Sequence, residues 1–548
     1  MPPPGSLTAS IACVAALLAA AAGPGSARQV ASPEPARPRL VVVIVADQFR
    51  ADYVAGYRHR WRGGMRVLLD EGAWFPRAEY PFLNTATCVG HVTIATGALP
   101  RTHGIVLNRW WDRDEQRSVT CTEDETSPDV SYGAPVRTGT SGRRIAVPTL
   151  ADQLRAQQPG ARVVTLALKA RAAVGLAGHG GTAVTWFDEA GRTFVTSRAF
   201  SPAPVESVAT FIHLNPPEAD HGQVWTLHAP ANSYRFPDIA PGERPKSGWT
   251  AVFPHAIVGA AGPDAQYFDR WQKSPFADAY LGRMAAALVD DLQLGRGDTT
   301  DYLAVSFSAL DLLGHDLGPE TREVEDLLIR LDATLGALFE HLDARVGRDN
   351  YVVALSADHG VAPTPETAGG GRIATEDVQD VLEQTLLGVW GPPRQARYVA
   401  WVGAGAVYFG PGIFDRLVAE PAAMQAVLRA LLAIPGMERV IRRDELAGAG
   451  DELTRAAAAG FRNDRSGDLL LVPKRHWIVE LRAENEATTH GTFYDYDRRV
   501  PILLRGHGIR PGRYNARVTP ADIAPTLAYL AGITLAQTDG RVLSDALR

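Results

Sequence analysis

Lysine is nearly missing from this 548-residue chain: among 55 basic side chains, only Lys169, Lys246, Lys273 and Lys474 are lysine. Arginine carries the positive charge everywhere else, so each lysine marks a position to explain. Cysteine is scarce as well, and three in this length exclude a disulfide scaffold or a zinc-finger array. No long basic run occurs and the formal charge is −6, which argues against a general binder of nucleic-acid polymers. The apolar stretch from Ile11 to Ala22 is shorter than the roughly 20 residues that a stable membrane span requires. What remains is 46% hydrophobic, ample for a large buried core. The length suits two to four domains, or one α/β domain with insertions.

Residues 1–27 are uncharged and end in small residues before Arg28. They read as a secretory signal peptide cleaved near Ala27, which makes the expected location periplasmic or secreted. The leader departs from the usual pattern in lacking an N-terminal Lys or Arg. A lipid-anchored Cys13 is the weaker alternative, because Ser10-Ile11-Ala12 lacks the usual preceding leucine. Removing the leader leaves Cys88 and Cys121, which either pair in an oxidising compartment or remain two unrelated thiols.

A linker over 28–38, Pro-rich from Pro33, precedes Leu40–Ala46, a continuous apolar run expected of a strand buried on both faces. Similar runs recur at Val163–Leu168, Tyr302–Phe307, Tyr351–Ser356 and Val500–Leu504. Val324, Leu328, Leu331, Leu335, Leu338 and Leu342 repeat at helical spacing and predict an amphipathic helix packed on the sheet. Strands alternating with helices predict an α/β fold with a mainly parallel sheet, whose ligands gather beyond the carboxyl ends of the strands. Two stretches break the pattern, at about 195–280 and 365–480. Both read as insertions into a domain spanning 39–548, the second with a hairpin around Tyr398–Phe409.

Polar residues able to bind metal follow three of the apolar runs. Asp47 comes directly after the first, Asp311 and His315 after Tyr302–Phe307, and Asp358-His359 after Tyr351–Ser356; His490 is a further candidate. One such Asp is most often a helix cap. Delivered together to one rim, these carboxylates and imidazoles suit zinc, and six ligands suit two ions. The four-residue step from Asp311 to His315 puts both on one helical face. Thr87, ahead of a short apolar helical stretch, sits where free N–H groups favour an anion. A threonine hydroxyl needs a base or a metal to act as a nucleophile, so without the ligand set Thr87 would read as a helix cap.

The string TATCVGHVTIATGALPRTHGIVLNRWWDR, the Asp and His stations and the segment Val518–Leu527 together resemble the alkaline phosphatase superfamily. More narrowly they resemble the bacterial phosphate-irrepressible enzymes with a threonine nucleophile. The resemblance runs from about residue 38 to 548 with the motifs in order. It implies two Zn²⁺, one held by Asp311, His315 and His490 and the other by Asp47, Asp358 and His359, with Thr87 as attacking residue and a ligand to metal. It also implies that Asn108, Lys169 and Arg171 bind the phosphoryl oxygens.

Three oxygens and a dianionic charge call for extra cationic donors, which favours small phosphate monoesters as substrates. A phosphodiesterase or nucleotide pyrophosphatase on the same metals is the rival and would need an apolar wall for its second ester group. A sulfatase is disfavoured because Cys88-Val-Gly-His91 lacks the CxPxR pattern. A non-catalytic metal- or phosphate-binding protein would have no use for the nucleophile.

Overall fold

The computed structural model describes residues 37–548 except 394–396, 449 and 482–484, so the signal-peptide reading and most of the linker lie outside the described residues. Eleven strands form the main sheet. In chain order they are β1 (Leu40–Ala46), β2 (Ala73–Phe75), β3 (Glu123–Ser131), β4 (Gly139–Thr140), β5 (Val163–Ala167), β6 (Ala183–Asp188), β7 (Thr193–Ser197), β8 (Asp301–Phe307), β9 (Tyr351–Ser356), β10 (Ile502–Gly506) and β11 (Gly512–Arg513). Their spatial order is β11-β2-β10-β9-β1-β8-β5-β6-β7-β3-β4.

The middle five, β9-β1-β8-β5-β6, run parallel, with Leu40 opposite both Asp301 and Tyr351. Antiparallel strands flank this block on both sides. The expected α/β, mainly parallel sheet is therefore the observed fold.

β1 shows why an unbroken apolar run is required in the centre. Leu40, Val42, Ile44 and Ala46 pack into the core on one face, whereas Val41, Val43 and Val45 pack into the core on the other. All seven residues are buried. Burying each Val or Ile side chain is worth about 1.5–3 kcal/mol.

The helices that matter for the site are α1 (Thr87–Thr96), α2 (Ala170–Ala177), α3 (Pro275–Asp291), α4 (Ala309–Leu317) and α5 (Arg322–Arg345). The stripe from Val324 to Leu342 lies on α5 and is buried as its spacing predicts. Thr321 caps that helix by accepting from the Val324 N–H.

The last run differs from its expected position: the strand occupies Ile502–Gly506 rather than Val500–Leu504. Pro501 has no N–H for a ladder, and Arg505 is accommodated in the strand by ion pairs with Glu71 and Asp343. Tyr398–Phe409 contains the expected antiparallel pair, Val399–Gly403 with Ala406–Phe409. It belongs to a separate four-stranded sheet with its own apolar core. Between residues 221 and 264 the regular elements are two two-residue strands and one short 3₁₀ turn. No described helix is long and apolar enough to cross a membrane.

Candidate active site

Parallel strands that end side by side bring sequence-distant residues to one rim. Asp47 follows β1, α4 with Asp311 and His315 follows β8, and Asp358-His359 follows β9. Asp47, Asp358 and His359 present ligand atoms within 4.8 Å of one another, and so do Asp311, His359 and His490. The His359 and His490 rings stack with centroids 3.4 Å apart. His315 stands at the edge of the second group, its Nε2 3.4 Å from Asp311 Oδ1. The grouping thus differs in one member from the set that the resemblance implies: His359 faces both clusters.

Three of these imidazoles are oriented alike. Nδ1 of His315 contacts the Thr488 carbonyl oxygen at 3.0 Å, Nδ1 of His359 that of Gly360 at 2.9 Å, and Nδ1 of His490 that of Thr85 at 2.9 Å. A carbonyl only accepts, so each Nδ1 is the N–H, and the second nitrogen of each ring is turned to the carboxylates. Burial holds His359 neutral with its pKa lowered to about 3, and lowers that of His490 to about 4. Burial alone would raise the Asp311 carboxyl, but Lys169 and His315 beside it hold it well below the usual range. Burial likewise opposes charge on His315, yet Asp311 and Glu486 outweigh it and raise that imidazole well above 6.5.

Two buried carboxylate oxygens, Asp47 Oδ1 and Asp358 Oδ2, lack a hydrogen-bond partner. A buried carboxylate without a donor is costly unless a cation meets it. Together with three imidazoles whose Nε2 faces the carboxylates, this donor set fits zinc.

Thr87 opens α1, buried, with Oγ1 3.3 Å from His359 Nε2. The helix approaches closely because residue 90 is glycine: a Cβ there would lie 2.1 Å from the Asp358 carbonyl oxygen. Cys88 and Cys121 are bonded, with Cα atoms 6.7 Å apart, so the pairing left open by the sequence is made. The bond ties α1 to the segment holding Asn108. The Asn108 main-chain oxygen accepts from the Cys121 N–H at 3.0 Å, and its Oδ1 accepts from the Cys88 N–H at 2.8 Å. The amide orientation is thereby set, and Nδ2 remains as the donor.

Lys169, buried at the end of β5, places Nζ 2.5 Å from Asp47 Oδ2 and against Asp311 Oδ2. Its ammonium joins the two carboxylate clusters. Arg171, in the first turn of α2, makes no ion pair among the described residues. With Asn108 it lines a cavity of about 620 Å³, whose other walls include Arg109, Arg137, Asp129 and Asp188.

Three residues given no role in the sequence reading complete the shell. Gln48, at a left-handed φ of 68°, donates its N–H to Asp358 Oδ1 at 3.2 Å and its Nε2 to Asp311 Oδ1 at 3.0 Å. His91 donates from Nδ1 to the Thr87 carbonyl oxygen at 2.8 Å, with Asp358 Oδ2 at 3.3 Å. Its Nε2 lies 2.8 Å from Ser306 Oγ. Glu486 Oε2 lies 2.9 Å from His315 Nδ1. Position alone could have flagged Gln48, next to Asp47, and His91, one turn after Thr87; nothing local singles out Glu486.

The family model for type I phosphodiesterases / nucleotide pyrophosphatases matches residues 41–493, and the chain belongs to this family within the alkaline phosphatase superfamily. It is 33% identical to alkaline phosphatase PhoK of Sphingomonas sp, over 92% of this chain and 91% of that protein. With alkaline phosphatase PafA of Elizabethkingia meningoseptica it shares 30% identity, over 91% of this chain and 92% of that one. The crystal structure of wild-type PafA superposes with a TM-score of 0.86 at 29% identity, covering 94% of this chain and all of that one. A second PafA structure, equally similar, carries a threonine changed to serine and an asparagine, a lysine and an arginine changed to alanine.

Proposed function

We propose that the protein is a periplasmic or secreted zinc-dependent alkaline phosphatase that hydrolyses phosphate monoesters through a phosphothreonine intermediate. The observation that carries this reading is Thr87 Oγ1 3.3 Å from His359 Nε2, beside two carboxylate–imidazole clusters that fit metal ions. The four residue types altered in the PafA variant occur here, in the same chain order and at nearly the same spacing, as Thr87, Asn108, Lys169 and Arg171. The disulfide agrees with an oxidising compartment.

Asp47, Asp358 and His359 would hold one zinc ion, and Asp311, His315 and His490 the other, with Thr87 adding its oxygen. Bound zinc would supply Lewis acidity, lowering the pKa of the threonine hydroxyl and neutralising charge on the leaving oxygen. Thr87 Oγ1 passes its proton to solvent water and bonds to phosphorus as the P–O bond to the alcohol breaks; the departing alkoxide takes a proton from water, so no net proton is gained or lost. In the second half a water oxygen attacks the phosphothreonine as the bond to Thr87 Oγ1 breaks; one water proton stays on the released hydrogen phosphate and the other, through solvent, restores the threonine hydroxyl.

Asn108 Nδ2 and the Arg171 guanidinium donate to the phosphoryl oxygens throughout, while Lys169 adds an ammonium at the junction of the two clusters. A diesterase would need an apolar wall for its second ester group. The cavity beside Asn108 and Arg171 is walled by Trp186 and Ala170 as well as by Arg109, Arg137, Asp129 and Asp188, so the monoester reading is supported by the cationic donors Lys169 and Arg171 rather than by the wall.

The test compares kcat/KM on an aryl phosphate monoester and the matching diester, with zinc counted by elemental analysis. Monoester preference with two zinc ions per chain is expected. Diester preference would replace this reading with the phosphodiesterase one.

A further inference from the structure

Three of the four lysines make ion pairs at or beside the site, and two of them converge on one residue that touches no substrate. Asp316 follows His315 on α4 and is 4% exposed. Lys246 Nζ lies 3.1 Å from its Oδ1 and Lys273 Nζ 2.7 Å from its Oδ2. Lys273 also reaches Asp269 Oδ1 at 2.9 Å, so a single ammonium spans two carboxylates. A compact ammonium with three donors can bridge in this way. The Arg244 N–H donates to the Asp316 carbonyl oxygen at 2.7 Å, so the 244–246 segment grips the same residue by main chain and side chain.

The rest of α4 is held differently. Its first turn is met by Asp278 of α3, whose Oδ1 accepts from the Ala309 N–H at 3.3 Å. Its middle lies against the Gln48 amide, since a Cβ at Gly314 would come within 2.0 Å of Gln48 Oε1. Among the described residues, the hydrogen bonds and ion pairs between this helix and the irregular 221–264 segment all fall at Asp316. This segment has few regular main-chain hydrogen bonds of its own, and its contact at Asp316 is one residue from His315.

We propose that Asp316, held by Lys246 and Lys273, is a positioning residue that fixes the turn of α4 bearing His315, so that zinc retention depends on the irregular insertion. The proposal rests on the zinc-phosphatase reading of the site. An ion pair that merely stabilised the fold would shift the melting temperature and leave zinc release alone; a positioning contact moves zinc release as well.

The experiment uses the zinc-loaded full chain and follows zinc transfer to a chelator, the melting temperature and kcat/KM at saturating zinc. Lys246→Met, Lys273→Met and Asp316→Asn are compared with Lys474→Met, a change at an exposed lysine away from α4. One ion of the two should leave about 10- to 100-fold faster in the first three variants, the range for loss of a residue that orients a metal ligand. The other ion and the Lys474→Met protein should behave like the parent, and excess zinc should restore most turnover. Lys273→Arg should recover part of the retention, because one of the two carboxylates can still be met.

Parent-like release of both ions, with or without a lower melting temperature, overturns the proposal while leaving the phosphatase reading intact. If Lys273→Met does not fold, Lys246→Met decides the matter, since that side chain is 36% exposed and its replacement leaves no buried cavity. A parent protein that retains no zinc overturns both the proposal and the site reading.

Discussion

The two sides of the site are built on different foundations. Asp47, Asp311, His315, Asp358 and His359 follow the ends of β1, β8 and β9, hydrogen-bonded neighbours whose side chains are wholly buried, and His490 reaches the same rim from an irregular segment. Asn108 sits outside the sheet, in a connecting segment placed by two hydrogen bonds and a disulfide, whereas Arg171 keeps a sheet foundation in the first turn of the short helix that follows β5. A parallel sheet sets the spacing of its own strand ends. A segment away from the sheet has no such template and needs a covalent tie. Losses on the metal side should therefore be loss of metal or nucleophile, and losses on the oxygen side should be loss of transition-state contacts with the metals still bound.

The sharpest break of this contrast is Thr87→Ala. It should lower monoester turnover by about 10³-fold or more while the zinc count stays at the parent value; near-normal turnover in that variant would remove Thr87 as nucleophile. Next in size, Asn108→Ala and Arg171→Ala should each reduce kcat/KM for an aryl monoester by about 10²–10³-fold. The diester should suffer less, and zinc should again be retained. Equal damage to both esters would assign the two residues to general binding.

A smaller effect concerns pH. In the metal-free protein His315 has a raised pKa because Asp311 and Glu486 outweigh its burial, so it carries a proton at neutral pH that an entering ion must displace. His359 and His490, lowered to about 3 and 4, are already neutral there. Affinity at the His315 site should rise by about tenfold per pH unit through neutrality, because one proton is released, and should level off above the His315 pKa. Calorimetry in buffers of different ionisation enthalpy reads the proton directly; no proton release at pH 7 would refute the assignment. The smallest effect on rate is expected from Cys88→Ser with Cys121→Ser. Stability should fall by about 2–4 kcal/mol in denaturant titration, with only a several-fold drop in kcat/KM, because both Asn108 hydrogen bonds can still form.

The sheet side was the legible one. A strand buried on both faces announces itself as an unbroken apolar run, and a polar residue at its end is conspicuous, so Asp47, Asp311, Asp358 and His359 could be placed on one rim from the sequence. The four-residue step to His315 followed from helical spacing. Glu486 could not be found this way, because its contact with His315 spans 171 positions and depends on how an irregular segment returns. Gln48 was hidden for another reason: a neutral amide beside an Asp has no chemical signature until its left-handed backbone turns it toward Asp358 and Asp311. The strand end misread at Val500 failed on Pro501, whose missing N–H shifts the ladder toward Arg505. The small four-stranded sheet was visible only as its first hairpin, since its two later strands join it from distant stretches of sequence.

The spread of the ligands along the chain also has a consequence for synthesis. Asp47 and Thr87 leave the ribosome first, whereas His490 is made about 400 residues later, when nearly the whole polypeptide exists. The cluster of Asp311, His359 and His490 cannot have all its imidazoles before then, whereas Asp47, Asp358 and His359 have all been made about 130 residues earlier. A nascent chain that ends short of His490 thus holds one carboxylate–imidazole cluster in full and the other only in part.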